Sequence, residues 1–249
     1  MIKEFDIYKH PALYDDQYWW KKDDIEFYKN IISPGSKVLE LGAGTGRLAL
    51  PILRHNVDYY GLELSSEFSS FANNKLSDLY DEDRILEGNM VNFDLDMKFD
   101  YIFIAFNSFL HVLSNKDADS CFKSIKKHLN KDGKFILDIL VPHPLFLYRP
   151  KDHTLPVMDF KDSETGELVE IFESSEYDNE TEICDIHWTY KYREKATEEV
   201  FNYQMKMYYP DTINRLLIDN QFHIENVYGD YDMGDFNEES HLQIYIAGK

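Results

Sequence analysis

Residues 37–50 read KVLELGAGTGRLAL: a short apolar run, an acid at Glu40, glycines at Gly42, Gly44 and Gly46, then a second apolar stretch. Three glycines on alternate positions mark a bend that lets the backbone approach another group closely, because glycine adopts left-handed conformations at little cost. A helix following such a bend is expected to aim its first, free amides at whatever sits there. Those amides suit a phosphate, yet a carboxylate two residues before the first glycine repels one. The pattern asks for a ligand that satisfies backbone donors and a negative charge together.

Strand and helix periodicities alternate on both sides of the bend. DDQYWWKKDDIEFYKNII places Trp20, Ile25, Tyr28, Ile31 and Ile32 at helical spacing and predicts one N-terminal helix, ending at the turn signal SPGS. KVLELG reads as a buried strand, and GRLALPILRHN as a helix that Pro51 limits or bends. VDYYGLEL is a second strand, followed by a helix capped at Ser65 or Ser66. RILEGN, FDYIFIAF and GKFILDIL supply three more strands, with a helix through DADSCFKSIKKHLN before the last. Such alternation predicts an α/β fold with a parallel sheet covered on both faces.

After Pro142 the period changes to two. Cys184, Ile186, Trp188, Tyr190 and Tyr192 share one strand face, and Phe201, Tyr203, Met205, Met207 and Tyr209 share the next. DSETGE, DNET and EKATEE are the expected turns of an antiparallel meander. Helical spacing returns in PDTINRLLIDNQF, and FHIENVYGD and HLQIYIAG close the sequence as a strand pair. This organisation assigns residues 1–141 and 210–249 to one domain with an N-terminal helical segment. Residues 142–209 become an inserted antiparallel sheet after the fifth strand, a substrate cover or a dimer surface. The aromatic stripes of that sheet read first as its own packing.

Two ligand readings compete for GAGTG. A nicotinamide-dinucleotide turn follows G-x-G-x-x-G and seats a pyrophosphate. Even glycine spacing and Glu40 favour instead a ligand with an ammonium near the turn, such as the methionine end of S-adenosylmethionine. Glu63, about twenty residues beyond Gly42 at the end of the second strand, can accept ribose hydroxyls and suits either cofactor.

ELGAGTG followed by GLELS resembles the first two motifs of the class I S-adenosylmethionine-dependent methyltransferases. LEGNM resembles that family's adenine-binding segment, FDYIFIAFNSFLHVL its fourth-strand segment and NKDGKFILDI its fifth strand. The resemblance spans roughly residues 36–141 and 210–248 and implies a Rossmann-like, doubly wound, seven-stranded and mostly parallel sheet. It implies that Glu40, Gly42, Ala43, Gly44 and Gly46 receive the methionine moiety and Glu63 the ribose. Leu64 would pack on adenine, Asn89 and Met90 would meet its polar edge, and Phe106 and Asn107 would complete the cofactor site. Asn89 stands where the family usually has aspartate, which weakens that contact while keeping a carbonyl acceptor.

The fourth-strand loop FNSFLHVLS lacks the N/D-P-P-Y motif of nucleic-acid amino methyltransferases and resembles that of small-molecule N-methyltransferases, including those acting on amino sugars. The same resemblance makes His111 a candidate general base and Tyr14, in ALYDDQY, a candidate catalytic tyrosine. A formal charge of −20, from 46 acids against 26 Lys and Arg, argues against a polyanionic partner such as DNA. The acidic pairs Asp15–Asp16 and Asp23–Asp24 read as solvated faces. Cys121 and Cys184 read as buried free thiols, and His10, His143, His153, His187 and His241 show no metal-ligand spacing. MIKEFDIYKH carries charges where a signal peptide is apolar, and no apolar run approaches bilayer-spanning length, so a cytoplasmic monomer or homodimer without membrane partners is expected. The expected reaction is methyl transfer from S-adenosylmethionine to a small-molecule acceptor, at an amine nitrogen. Three alternatives are O-methylation, NAD-dependent oxidoreduction and noncatalytic S-adenosylmethionine binding.

Overall fold

The structure, a computed structural model, describes residues 2–150, 153–194 and 198–249. Along the chain run β1 (Ile2–Glu4), α1 (Pro11–Gln17), α2 (Asp23–Ile31), β2 (Lys37–Leu41), α3 (Ala49–Leu53), β3 (Asp58–Glu63), α4 (Ser66–Leu76), β4 (Ile85–Glu87) and β5 (Phe99–Ile104). There follow α5 (Asn115–His128), β6 (Leu129–Leu140), α6 (Pro144–Leu147), β7 (Leu155–Lys161), β8 (Leu168–Asp178), β9 (Ile183–Tyr192), β10 (Glu198–Lys206), α7 (Pro210–Asp219), β11 (His223–Tyr228) and β12 (Leu242–Gly248). Two compact units form: Lys22–Val141 with Tyr208–Lys249, and Pro142–Met207 with the residues up to Lys21.

The larger unit is built on a seven-stranded sheet in the order β11-β12-β6-β5-β2-β3-β4. β2 pairs in parallel with β3 on one side and with β5 on the other, and β12 runs antiparallel to both β6 and β11. Strand order thus reverses at β2, with β3 and β4 added on one side and β5 and β6 on the other, which opens a crevice at the carboxyl ends of β2 and β5. The strands facing that crevice are short apolar runs buried on both faces: Val38, Leu39 and Leu41 in β2, and Ile102, Phe103 and Ile104 in β5. This is the doubly wound α/β architecture expected from the alternating periodicity.

The smaller unit is a five-stranded sheet in the order β1-β10-β9-β8-β7. Its stripe Cys184, Ile186, Trp188, Tyr190 and Tyr192 is buried, as period two requires when one face packs. β10 ends at Lys206, so Met207 and Tyr209 lie beyond the strand on which they were placed; Tyr209 caps α7 instead. The turn expected at EKATEE includes residues 195–197, which lie outside the described residues.

Three local expectations change. The single N-terminal helix is two helices, α1 and α2, separated by a turn at Tyr18–Trp20, and Trp20 is exposed rather than on a packed face. The residues up to Lys21, read from sequence with the α/β domain, group with the antiparallel sheet, where β1 pairs in parallel with β10. The helix after the glycine bend shrinks to α3, with turns over residues 44–48. Cys121 and Cys184 are buried free thiols.

Candidate functional site

The reversal point of the seven-stranded sheet lies where β2 ends at the glycine bend and β5 ends at Ala105. Gly42, Gly44 and Gly46 have φ of +72°, +57° and +74°, the left-handed region that strains other residues. Their reasons differ. A Cβ at Gly42 would lie 2.9 Å from Ser108 Cβ and 3.1 Å from Met90 Cε, and one at Gly46 would lie 3.1 Å from Ala72 Cβ. At Gly44 a Cβ would meet nothing within 4 Å, so the backbone there is open to a ligand.

The bend's amides are mostly engaged by the protein itself. Gly42 and Ala43 donate to the Leu62 carbonyl at 2.8 and 3.1 Å, and Gly46 donates to the Ala43 carbonyl at 3.0 Å. Gly44 donates to Glu63 Oε2 at 2.8 Å, while Ser65 donates to Glu63 Oε1 at 2.9 Å. The expected row of free amides at a helix start is therefore absent at Gly42, Ala43, Gly44 and Gly46, because the second-strand acid and carbonyl take them. Burial raises the Glu63 pKa and those backbone donors pull it back. Each carboxylate oxygen keeps a further lone pair for an incoming hydroxyl.

Glu40 sits at the heart of this site. It is 4% exposed, and the Tyr59 hydroxyl donates to its Oε2 at 2.6 Å. Desolvation pushes its carboxyl pKa up to about 8, against the downward pull of the Tyr59 bond and the Arg47 charge. Such a carboxyl is held near neutrality by its surroundings and gains most from a cation placed beside it.

Arg47, in the turn after Gly46, grips the Asp24 carboxylate with Nη1 at 2.8 Å and Nη2 at 2.6 Å. Asp24 is fully buried, which corrects its reading as part of a solvated acidic face; the adjacent Asp23 is exposed. The guanidinium also lies 5.4 Å from the Phe106 ring centroid. Phe106 and Asn107 both adopt positive φ, +49° and +65°. That strained pair is pinned from β6: Phe106 N donates to Asp138 Oδ2 at 3.2 Å, and Leu140 N donates to Asn107 Oδ1 at 2.7 Å. The Tyr231 hydroxyl donates to the same Asp138 oxygen at 2.9 Å. Arg47, Asp24, Tyr59, Asp138 and Tyr231 were missed in the sequence, where one signal existed for Tyr59: parallel pairing of β2 with β3 sets it opposite Val38, two residues before Glu40.

The remaining candidates divide between the two units. Leu64, next to Glu63, is 67% exposed and offers an apolar face. Asn89 is exposed, its Oδ1 accepting from Val91 N at 2.9 Å, and Met90 reaches Gly42. His111 ends the short 3-10 helix Ser108–His111 that follows Asn107, and is exposed. Tyr14 belongs to the smaller unit, on α1, with its ring 4.7 Å from that of Tyr18.

The family described as "Methyltransferase domain" matches residues 39–135, which contain the bend, Glu63 and the β5 loop. A protein of Oceanobacillus iheyensis named as a methyltransferase is 30% identical over 148 residues, covering 55% of this chain and 67% of that protein. A Bacillus cytotoxicus protein of the same description is 32% identical over 99 residues, 40% of this chain and 44% of its own length. The chain thus spans under half the length of that relative. Among solved structures, an S-adenosylmethionine-dependent methyltransferase from Clostridium acetobutylicum superposes with TM-score 0.77 at 19% identity, covering 96% of this chain and 97% of the other. The sugar N-methyltransferase KedS8 from a Streptoalloteichus species gives TM-score 0.71 at 15% identity, with 95% and 92% covered. These two likenesses concern the fold.

Proposed function

The chain belongs to a methyltransferase family, and from that premise we propose that it moves a methyl group from S-adenosylmethionine to a small-molecule acceptor, at an amine nitrogen. The observation that carries the cofactor half is Glu40: a buried carboxyl beside an open glycine, flanked by amides already engaged by the protein. A diphosphate would meet occupied donors and an acid there. An α-ammonium meets a carboxylate whose desolvation it offsets.

On this reading Glu40 holds the ammonium, while Gly42, Ala43, Gly44 and Gly46 shape the wall against the amino-acid tail. Glu63 accepts the ribose hydroxyls with the lone pairs its backbone donors leave. Leu64 covers one face of the adenine, Asn89 and Met90 lie along its edge, and Phe106 and Asn107 close the site. The bound cofactor supplies an electrophilic methyl on a sulfonium. His111 takes the proton released by the acceptor amine, and Tyr14 orients that amine; in-line positioning of a neutral nitrogen supplies the rest. The nitrogen assignment draws support from fold neighbours such as KedS8, named as a sugar N-methyltransferase, and from the form of the β5 loop.

Calorimetry with S-adenosylmethionine and with NAD tests the cofactor, the first binding and the second not; binding of NAD alone overturns the assignment. Turnover is then followed by mass spectrometry against amines, phenols and carboxylates, with methylated amine as the expected product. His111→Ala and Tyr14→Phe are each expected to cut turnover on the best amine by 10²-fold or more, in the range of about 10²–10⁴ for general acid–base groups. Full turnover in either variant removes that residue from the mechanism.

A further inference from the structure

One end of the larger unit gathers positive charge in a chain whose formal charge is −20. β5 and β6 begin there, α5 and α7 end there, and β12 runs out at Gly248. This is the amino edge of the parallel strands, opposite the crevice at their carboxyl ends. Between these elements lies an open cavity of about 620 Å³, lined by Lys98, Lys126, Lys131 and Lys249 with Asn130 and Gln221. No acidic side chain among the described residues lines it.

How these ammoniums are held separates them from other lysines of the unit. Lys29, Lys123 and Lys127 meet carboxylates: Glu26 at 2.7 Å, Asp119 at 2.6 Å and Asp94 at 2.6 Å. Around the cavity the partners are backbone carbonyls instead. Lys98 donates to the Lys127 carbonyl, Lys126 to those of Asn220 and Gln221, each at 2.8 Å, and Lys249 to that of Leu129 at 2.6 Å. A carbonyl fixes an ammonium without cancelling its charge, and leaves Nζ hydrogens over for another acceptor. The carbonyls belong to the ends of α5 and α7, whose dipoles favour cations. Two helix ends supply about one negative elementary charge between them, roughly half each, against the four ammoniums of the cavity. The surplus is felt at Lys249, whose pKa is lowered by desolvation and then by the charges of Lys98 and Lys126.

We propose that this cavity binds a compact oligophosphate, free or carried by a nucleotide, whose oxygens accept from Lys98, Lys126, Lys131 and Lys249. Linked phosphates carry several charges along a short chain and so satisfy several separated point donors at once, which a single carboxylate cannot. Lysine supplies that charge without the planar fork with which arginine reads one carboxylate. A long polyanion gains the same contacts and then meets the acidic remainder of the chain, so nucleic acid is disfavoured where a short anion is not. The site stands apart from the cofactor crevice of the same unit and does not depend on the methyl-transfer reading.

Titration calorimetry of the full chain with inorganic triphosphate, in metal-free buffer, tests the site. Binding is expected with a Kd of about 0.1 mM at about 50 mM salt, the scale of a few charge-assisted bonds. Affinity should fall several-fold at about 200 mM salt, since exposed pairs are screened. Lys98→Gln with Lys131→Gln should weaken binding about tenfold or more, while Lys29→Gln leaves it unchanged. Lys131→Glu, at an exposed position, should give a comparable loss and serves if the double variant does not fold. ATP and adenosine separate the two sources of phosphate. ATP binding more tightly than triphosphate makes this a nucleotide site, and ATP binding no more tightly makes the phosphate chain the whole ligand. The proposal is overturned by a triphosphate Kd above about 1 mM, or by equal affinity in the wild type and the Lys98 and Lys131 variants. Hexaglutamate binding more tightly than triphosphate also overturns it, making the groove a docking place for an acidic peptide.

Discussion

Glu40 carries two properties that pull against each other. Folding raises its carboxyl pKa from 4.5 to about 8 through desolvation. A raised carboxyl binds its proton more tightly in the folded state. Its contribution to stability is therefore complete below about pH 4.5 and is lost as pH rises through the folded value near 8. Glu40→Gln abolishes that loss. The variant should melt above the wild type at pH 9 and close to it at pH 5, with each kcal/mol appearing as about 2–4 °C in a chain of this size. The same change should weaken S-adenosylmethionine binding about tenfold or more, since a bond between charged groups is exchanged for a neutral one. Calorimetry at pH 7 in buffers of different ionisation enthalpy should show a proton released on binding by the wild type and none by the variant. A wild-type protein whose binding releases no proton would place the ammonium elsewhere. The acid and the glycines were legible in the sequence because charge and left-handed backbone are residue properties. Tyr59, which holds the acid, was not, since a tyrosine inside an apolar strand reads as packing until the β2–β3 register is known.

Elements join through contacts that local patterns hide. The strands around the site were readable because each is a compact apolar run bounded by turn residues, and α4 because Ser65 caps it, accepting from Phe68 N at 3.2 Å. The N-terminal helix was misread because continuous helical spacing gave no sign of the break after Gln17. β1 was missed because a three-residue strand is too short to show alternation. Asp24 was misread for a different reason: an acid in the first turn of α2, among other acids, looks solvated until Arg47, 23 positions along, closes on it. That pair ties α2 to the glycine bend and can be tested directly. Arg47→Ala leaves a fully buried carboxylate without its guanidinium, and removing one partner of such a pair costs about 3–5 kcal/mol. The melting temperature of the cofactor-free protein should fall by roughly 6–20 °C. Asp24→Leu combined with Arg47→Met should recover most of it, because replacing both charges by apolar groups of similar volume is nearly neutral. Equal losses in the single and double variants would mean that packing of the side chains, and not pairing of the charges, holds the junction.

At the scale of the whole molecule the chain is discontinuous in both of its units. The seven-stranded sheet gathers Lys22–Val141 and Tyr208–Lys249, and the five-stranded sheet gathers Pro142–Met207 and the residues up to Lys21. The second grouping was illegible in sequence because it depends on pairing over long separations: Lys3 with Glu199 in the ladder, Gln17 with Tyr190, and Asp16 accepting from Ser163 N at 2.7 Å. Those contacts also cover an edge. Without β1, β10 presents a row of unpaired backbone groups beside Phe201 and Tyr203, the kind of edge that invites pairing with another chain. Deleting the residues before Lys22 should therefore act unevenly. Amide exchange followed by mass spectrometry should show β9 and β10 losing protection by an order of magnitude or more, with light scattering rising with concentration, while β2 and β3 exchange as before. Uniform loss of protection across both sheets would show that the N-terminal residues support the fold as a whole. Unchanged exchange in β10 would show that the β1 ladder contributes nothing to holding that strand.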